Sequence, residues 1–350
     1  MLHIADTVST TLAKVLADTP HKGLFVLADT NTAALCLPLL TTDDSLSLPE
    51  PIVMPAGEEY KNLNTLSSVW EALSTRGATR HSLLLCVGGG VVTDLGGFAA
   101  ATFKRGIACI HVPTTLLAMV DASTGGKTGI DFAGLKNEVG AFHMPKHVIV
   151  CPDFLATLPH AELLSGMGEM CKHLLIAPDS QESALRELED LTAISNATDI
   201  SATQIARSIA IKEHYVTCDP TEQGARRTLN FGHTVSHALE SLLLEKEKPT
   251  PHGITVAWGM IAELYLSHAL CNFPLSTLRN AVGILRELYG PCPVTCNDYD
   301  RLYDIALHDK KNTNATLLRP ALLADIGKPR LDLTVGRDLF FESIDFLREG

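Results

Sequence analysis

The chain changes texture at Pro159, and that change limits what it can fold into more than any single residue does. Before it, short aliphatic and β-branched runs alternate with helical stretches. Runs 24–28, 51–54, 83–87, 109–112 and 148–150 have the length and composition of buried parallel strands, and 62–76 and 93–104 carry a helical period. Parallel strands need crossover connections, so residues 1–158 are expected to form an α/β domain with a mostly parallel sheet. After Pro159 the strands give way to helical periods over 160–176, 200–217, 229–244, 254–270, 275–288 and 299–308, with one strand-like run at 316–326. Residues 159–350 are therefore expected to be mainly α-helical. A division in two also suits 350 residues, which exceed one average core.

Composition removes several classes of function. Hydrophobic residues at 46% and charged residues at 19% describe an ordinary folded chain, not a disordered one. A net charge of −12 argues against a nucleic-acid or anionic membrane surface. Nine scattered cysteines without a Cys-x-x-Cys pair suggest neither a disulfide framework nor a thiolate zinc site, and they suit a reducing cytoplasm. The first residues, Met1-Leu2-His3-Ile4-Ala5-Asp6, are not a basic region leading into an apolar core, as a signal peptide would be. The richest apolar run, 83–103, is interrupted by Asp94 and five glycines, short of the ~18 apolar residues of a membrane span.

Two features carry chemistry. The strand ending at Val87 runs into Gly88-Gly89-Gly90 and then a helix. Glycines there let backbone approach an anion, and the helix start offers N–H groups and a positive dipole end, which suits a dinucleotide diphosphate. The pattern is not G-x-G-x-x-G, and a plain tight turn is the competing reading. Asp29 and Glu58 stand where ribose hydroxyls could be received, and an acid there favours NAD over NADP. Either acid could equally be an ordinary turn residue. The second feature is the segment from Leu229 to Glu240, in which Leu229, His233, His237 and Glu240 follow a helical period. With Glu169 and His252, His233 makes an oxygen and two nitrogens, a donor set suited to a catalytic zinc with an open position.

Taken together, the motifs resemble the 3-dehydroquinate synthase family, within the sugar phosphate cyclases. The likeness is carried in order by Gly57-Glu58-Glu59-Tyr60-Lys61, Gly88 to Asp94, Phe103-Lys104-Arg105-Gly106, Pro113-Thr114-Thr115-Leu116-Leu117, Asp121 to Thr128 and Gly134-Leu135-Lys136-Asn137. It continues through Glu169 with Lys172, Lys212 to Arg226, Asn230 to His237, His252-Gly253 and Asp309-Lys310-Lys311-Asn312. The resemblance implies a Rossmann-like α/β domain followed by a helical one. It implies an enzyme that converts 3-deoxy-D-arabino-heptulosonate 7-phosphate (DAHP) to 3-dehydroquinate and phosphate, the second step of the shikimate pathway. It further implies NAD, Zn²⁺ (or Co²⁺), and a homodimer in which Arg105 reaches the neighbouring active site.

By the same resemblance, Glu169, His233 and His252 bind metal, His237 and Glu222 accept protons, and Lys172 is catalytic. Arg226 and Lys212 clamp a carboxylate. Lys127, Asn137 and either Lys310 or Lys311 surround phosphate. Asp121, Lys172 and Asn230 contact hydroxyls. The cofactor is assigned to Asp29, Glu58, Lys61, Gly89, Gly90, Val91, Asp94, Thr114, Thr115, Lys127, Lys136, Phe154 and Thr157. Two departures stand out: relatives commonly have alanine in place of Gly168, and an acidic residue in place of Ile254. Three other readings remain: a cyclase acting on a sugar phosphate without a carboxylate, a metal-dependent alcohol dehydrogenase, and a cofactor-binding protein without activity.

Overall fold

The computed structural model describes residues 1–42, 46–133, 135–179, 181–308 and 317–349. By its contacts the chain forms two compact units, one of Met1–Pro159 with Ala197–Ile209, the other of His160–Asn196 with Ala210–Gly350.

In the first unit six strands form one parallel sheet: β1 (Leu2–Ile4), β2 (Leu24–Asp29), β3 (Ile52–Met54), β4 (Leu83–Gly88), β5 (Ala108–Pro113) and β8 (His147–Val150). Their order is β1-β8-β5-β4-β2-β3. Between these strands lie α1 (Val8–Asp18), α2 (Thr30–Leu35), α3 (Leu37–Leu40), α4 (Leu63–Thr75) and α5 (Gly90–Thr102). Every residue of β4 is buried, as a central strand covered on both faces requires. Leu27, Ile52, Leu66, Leu84, Leu95 and Phe98 belong to the core that forms against it. The order reverses between β2 and β4, so the carboxyl ends of these two strands, Asp29 and Gly88, mark the topological switch point where open α/β sheets bind ligands.

The sequence reading located five of these strands and missed β1, which is three residues long. It also left unassigned the antiparallel pair β6 (Lys127–Phe132) and β7 (Leu135–Phe142). That pair lacks a clear alternation because Gly129 faces Gly140, where a Cβ on either would collide with the opposite backbone. The helix expected from Thr93 begins three residues earlier, at Gly90.

A buried titratable residue lies on β5. His111 is 2% exposed, and burial, far more than its neighbours, lowers its pKa from 6.5 to about 4. The unfolded chain therefore takes up this proton first. The stability held by the neutral ring is complete above pH 6.5 and is lost as pH falls toward 4, by about 3 kcal/mol at most. Urea unfolding of His111→Asn should show a flatter loss over that window than wild type. An identical slope would assign the acid sensitivity elsewhere.

The second unit holds α6 (His160–Leu175), α7 (Gln181–Asp190), the later part of α8 (Ala202–Cys218), α9 (His233–Glu245), α10 (His252–Cys271), α11 (Leu275–Tyr289), α12 (Tyr299–Leu307) and α13 (Arg337–Glu349). A short antiparallel pair, β9 (Leu322–Asp325) and β10 (Lys328–Arg330), accompanies them. By length and composition α10 would pass for a membrane span, but 67% of that window is buried within the structure. Its Val256, Met260, Ile261 and Leu264 are core residues, and α10 packs on both α9 and α6.

One element differs in a way that matters for the site. A helix was expected from residue 229, whereas 225–230 is a 3₁₀ turn and α9 begins at His233. Gly232 separates them, with φ 81° and ψ −18°.

Candidate active site

Glycine is required at 232 because its backbone is left-handed and a Cβ would lie 2.7 Å from Met260 Cγ and 3.0 Å from Val256 O. It has no side chain with which to cap α9. Glu263 of α10 does so instead, its Oε1 accepting from Thr234 N (3.0 Å) and Val235 N (3.3 Å) and its Oε2 from Gly232 N (2.7 Å). Glu263 is fully buried. The first turn of α9 therefore starts with His233 at a fixed place.

Around that turn three donors converge. Glu169 on α6 is fully buried, and its Oε1 lies 3.5 Å from His233 Nε2 and 3.3 Å from His252 Nε2. Tetrahedral zinc with bonds of about 2.0–2.1 Å places its ligand atoms roughly 3.3–3.5 Å apart, so the spacing fits a shared divalent ion. The three donor atoms all lie within 4.8 Å of one another. His233 Nδ1 lies 3.1 Å from the Phe231 carbonyl oxygen, which can only accept, so Nδ1 carries a proton and Nε2 is the atom turned to the other donors. His252 Nδ1 lies 2.5 Å from Glu240 Oε1 and is protonated for the same reason. Lys172, also buried, forms an ion pair with Glu169 Oε2. Burial works hardest against charge on His252, but Glu240, together with hydrogen bonds to Glu169 and Glu240, carries its pKa up to about 10 without metal. Metal uptake must then displace that proton.

His237 lies one turn beyond His233 on α9, its ring centroid 5.5 Å from that of His233 and 6.4 Å from that of His252. Nearby in sequence, Asp219 accepts from the backbone N–H of Gln223, Gly224 and Arg226 and so shapes the turn that presents Arg226. The first of these amides to Asp219 in strength, that of Gly224, leads in holding its pKa below the usual carboxylate value. Arg226 is 1% exposed and donates to Pro220 O at 2.7 Å, and Lys212 on α8 is 6% exposed. Asn230 donates to Glu222 Oε1 at 3.0 Å, which links two of the expected site residues.

Of seven left-handed residues other than glycine among the described residues, four fall in these motifs, Lys104 (φ 52°), Arg105 (φ 66°), Asn137 (φ 52°) and Glu222 (φ 60°), while Ala133, Glu247 and Asn272 lie outside them. Such conformations cost of order 1–3 kcal/mol each and persist where the surroundings impose them, commonly at functional sites. Asp121 sits in a π-helical turn, Ala118–Ala122, another rarity often found at such sites.

In the first unit, α5 starts at the switch point with Gly89 at its N-cap and no side-chain cap. The N–H groups of that first turn, with Gly89, Gly90 and Val91 all part-exposed, suit an anion. A Cβ on Gly89 would lie 2.9 Å from Thr115 Cγ2, so the turn has no room for a larger residue. Thr114 N donates to Gly88 O at 3.0 Å, and the Cys36 thiol meets the side chains of both Thr114 and Thr157, which draws these positions together. Thr157 donates to the carbonyl of Phe154, itself fully buried. Asp29 Oδ1 caps α2 by accepting from Asn31 N and Thr32 N, both at 2.8 Å, the plain turn role weighed above.

Lys61 is 4% exposed, and its ammonium donates to Asp94 Oδ2 and Asn137 Oδ1, both at 2.6 Å. Burial opposes its charge most, but Asp94 and Glu58 outweigh burial and hold its pKa above the ordinary lysine value. Lys61 thus ties α5 to β7 and fixes Asn137. Lys136 lies 4.0 Å from Glu58, both exposed, and Lys127 and Arg105 are exposed as well. Lys310 and Lys311 lie outside the described residues.

Glu240 and Glu263 had no role in the sequence reading. Glu240 shares the helical face of His233 and His237, and Glu263 is the one acid in the 20 residues of α10, so both left a signal.

Residues 51–165 match the protein family described as 3-dehydroquinate synthase N-terminal, and residues 166–312 match 3-dehydroquinate synthase C-terminal. The chain is 45% identical to a 3-dehydroquinate synthase of Parabacteroides distasonis over 97% of its own length and 95% of that relative's. Among solved structures it is similar to a 2-deoxy-scyllo-inosose synthase complexed with carbaglucose-6-phosphate, NAD⁺ and Co²⁺. The TM-score there is 0.84 at 25% identity, covering 98% of this chain and 95% of that one. A 2-epi-5-epi-valiolone synthase from Streptomyces hygroscopicus subsp. jinggangensis, with NAD⁺ and Zn²⁺ bound, gives a TM-score of 0.87 at 24% identity. It covers 99% and 96% of the two chains, a likeness of fold.

Proposed function

The chain belongs to the 3-dehydroquinate synthase family and carries that enzyme activity, and from this premise we propose how its residues perform it. The reaction is conversion of DAHP to 3-dehydroquinate and phosphate by transient NAD-dependent oxidation, β-elimination of phosphate, re-reduction and ring closure. The observation that carries the reading is the convergence of Glu169 Oε1 with the Nε2 atoms of His233 and His252.

Glu169, His233 and His252 would hold one zinc ion, or cobalt in its place, which when bound supplies Lewis-acid polarisation and a template for substrate hydroxyls. Lys172, ion-paired with Glu169, contacts a hydroxyl of the substrate through its ammonium. Arg226 and Lys212 clamp the carboxylate, the fork of Arg226 matching it in geometry. His237 and Glu222 accept protons from the substrate, Glu222 being held in place by Asn230. Lys127 and Asn137 bind the phosphate, with Lys310 or Lys311, and Asp121 and Asn230 orient hydroxyls.

Gly89, Gly90 and Val91 receive the diphosphate of NAD⁺, which when bound supplies reversible hydride acceptance. Asp29 through Oδ2 and Glu58 take ribose hydroxyls, and Lys61 and Asp94 stiffen the cradle with Thr114, Thr115, Lys136, Phe154 and Thr157. The protein works as a homodimer in the cytoplasm, with Arg105 reaching the neighbouring copy's phosphate site.

Because hydride leaves and returns to one substrate carbon, NAD⁺ is needed in catalytic amount. One equivalent per chain should support many turnovers of phosphate release from DAHP, with no lasting rise in NADH absorbance and with loss of activity in chelator. NADH accumulating in step with product would mark a dehydrogenase instead.

A further inference from the structure

Each histidine of the metal set is held from behind by a buried glutamate that is not a ligand, and the two glutamates are exchanged between helices. Glu240 lies on α9 and supports His252 of α10, accepting from its Nδ1 at 2.5 Å. The Thr255 hydroxyl, whose one proton is shared between His252 O at 2.7 Å and the same Glu240 oxygen at 3.2 Å, packs the carboxylate against the first turn of α10. Glu263 lies on α10 and supports His233 of α9 through one peptide unit. Its Oε2 accepts the Gly232 N–H at 2.7 Å, and on the other side of that peptide the Phe231 carbonyl accepts from His233 Nδ1 at 3.1 Å. The sequence carboxylate, peptide, imidazole is a chain of hydrogen bonds in which each link polarises the next. Both acids are buried, Glu240 at 8% and Glu263 at 0% exposure, so neither owes its place to solvent. The helices approach closely at the same level, where a Cβ on Gly259 would overlap the Gly232 carbonyl.

We propose that Glu240 and Glu263 are positioning residues of the metal centre, exchanged between α9 and α10 so that each helix orients the other's histidine. This rests on the reading of Glu169, His233 and His252 as the ligands. Partners of this kind fix the tautomer and the ring plane and raise the donor strength of the coordinating nitrogen. The consequence is a two-histidine half-site set by the register of α9 on α10 before metal arrives.

The test measures Co²⁺ and Zn²⁺ affinity by chelator competition in full-length wild type, Glu240→Gln, Glu263→Gln and the double variant, well below the melting temperature of each metal-free protein. Each single variant should bind metal about 10- to 100-fold more weakly, the usual result of losing an outer partner of a ligand. Their effects should multiply in the double variant, and the visible Co²⁺ spectrum should change in both singles. Affinities within twofold of wild type, with an unchanged Co²⁺ spectrum, would overturn the proposal. Wild type that binds no metal would instead overturn the ligand set. A second measurement needs no variant: ¹⁵N-histidine NMR of the zinc-loaded wild type should place the proton of both His233 and His252 on Nδ1. A proton on Nε2 of either ring would defeat the proposal.

Discussion

His252→Ala is expected to leave the enzyme unable to keep stoichiometric metal through dialysis and to lower phosphate release from DAHP on the order of 10³-fold. The size follows from two losses. One of three donors disappears, which should weaken binding by more than the ~10–100-fold typical of losing an outer partner. The polarisation supplied by the ion is worth several kcal/mol of barrier, and each ~1.4 kcal/mol is a factor of ten in rate. The variant also leaves Glu240 and Glu169, both buried, without the imidazole that lies between them. NAD⁺ binding is the control, since the residues assigned to the cofactor lie in the other unit. Full metal occupancy at wild-type affinity would remove His252 from the ligand set.

Arg226→Ala is the second large effect, and it decides substrate choice. Arg226 is 1% exposed, so a carboxylate paired with it in the proposed complex would be met away from water. Loss of one partner from such a pair costs about 2–5 kcal/mol, or roughly 30- to several-thousand-fold in kcat/KM for DAHP. The melting temperature should be measured alongside, because the Arg226 side chain also donates to Pro220 O. A sugar phosphate without a carboxylate, such as sedoheptulose 7-phosphate, should be a poor substrate of wild type. Near-normal kinetics of the variant with DAHP, or a wild-type preference for the carboxylate-free substrate, would point to a different cyclase.

The residues that converge were legible because their types stand out from their surroundings: two imidazoles and a carboxylate inside apolar helices, and glycines directly after a buried strand. The supporting geometry was not legible, because it depends on which helix faces which. The helical period through Leu229 to Glu240 ran straight across Gly232, since a period records apolar spacing and not a left-handed residue. The role of Glu263 could not be read from α10 alone, because the amides that it caps lie about 30 residues earlier. The motif of Lys61 gave no sign that its ammonium meets Asp94 and Asn137, the latter 76 positions away in sequence. Ile254, apolar and two residues after His252, raised the question of what supports His252. Glu240 answers it from the neighbouring helix.

The contact between Gly168 and Gly253 has a consequence for how this sequence can change. A Cβ on Gly168 would overlap the Gly253 carbonyl, and one on Gly253 would overlap the Ser165 carbonyl, with backbone on the receiving side in both cases. Gly168 directly precedes Glu169, and Gly253 directly follows His252. The spacing that these glycines permit is therefore the spacing between a carboxylate ligand and an imidazole ligand. An alanine at 168 would wedge α6 from α10 and draw Glu169 away from His252. Residue 168 and the separation of α6 from α10 are therefore coupled, so a residue that binds nothing sets the distance between two that converge.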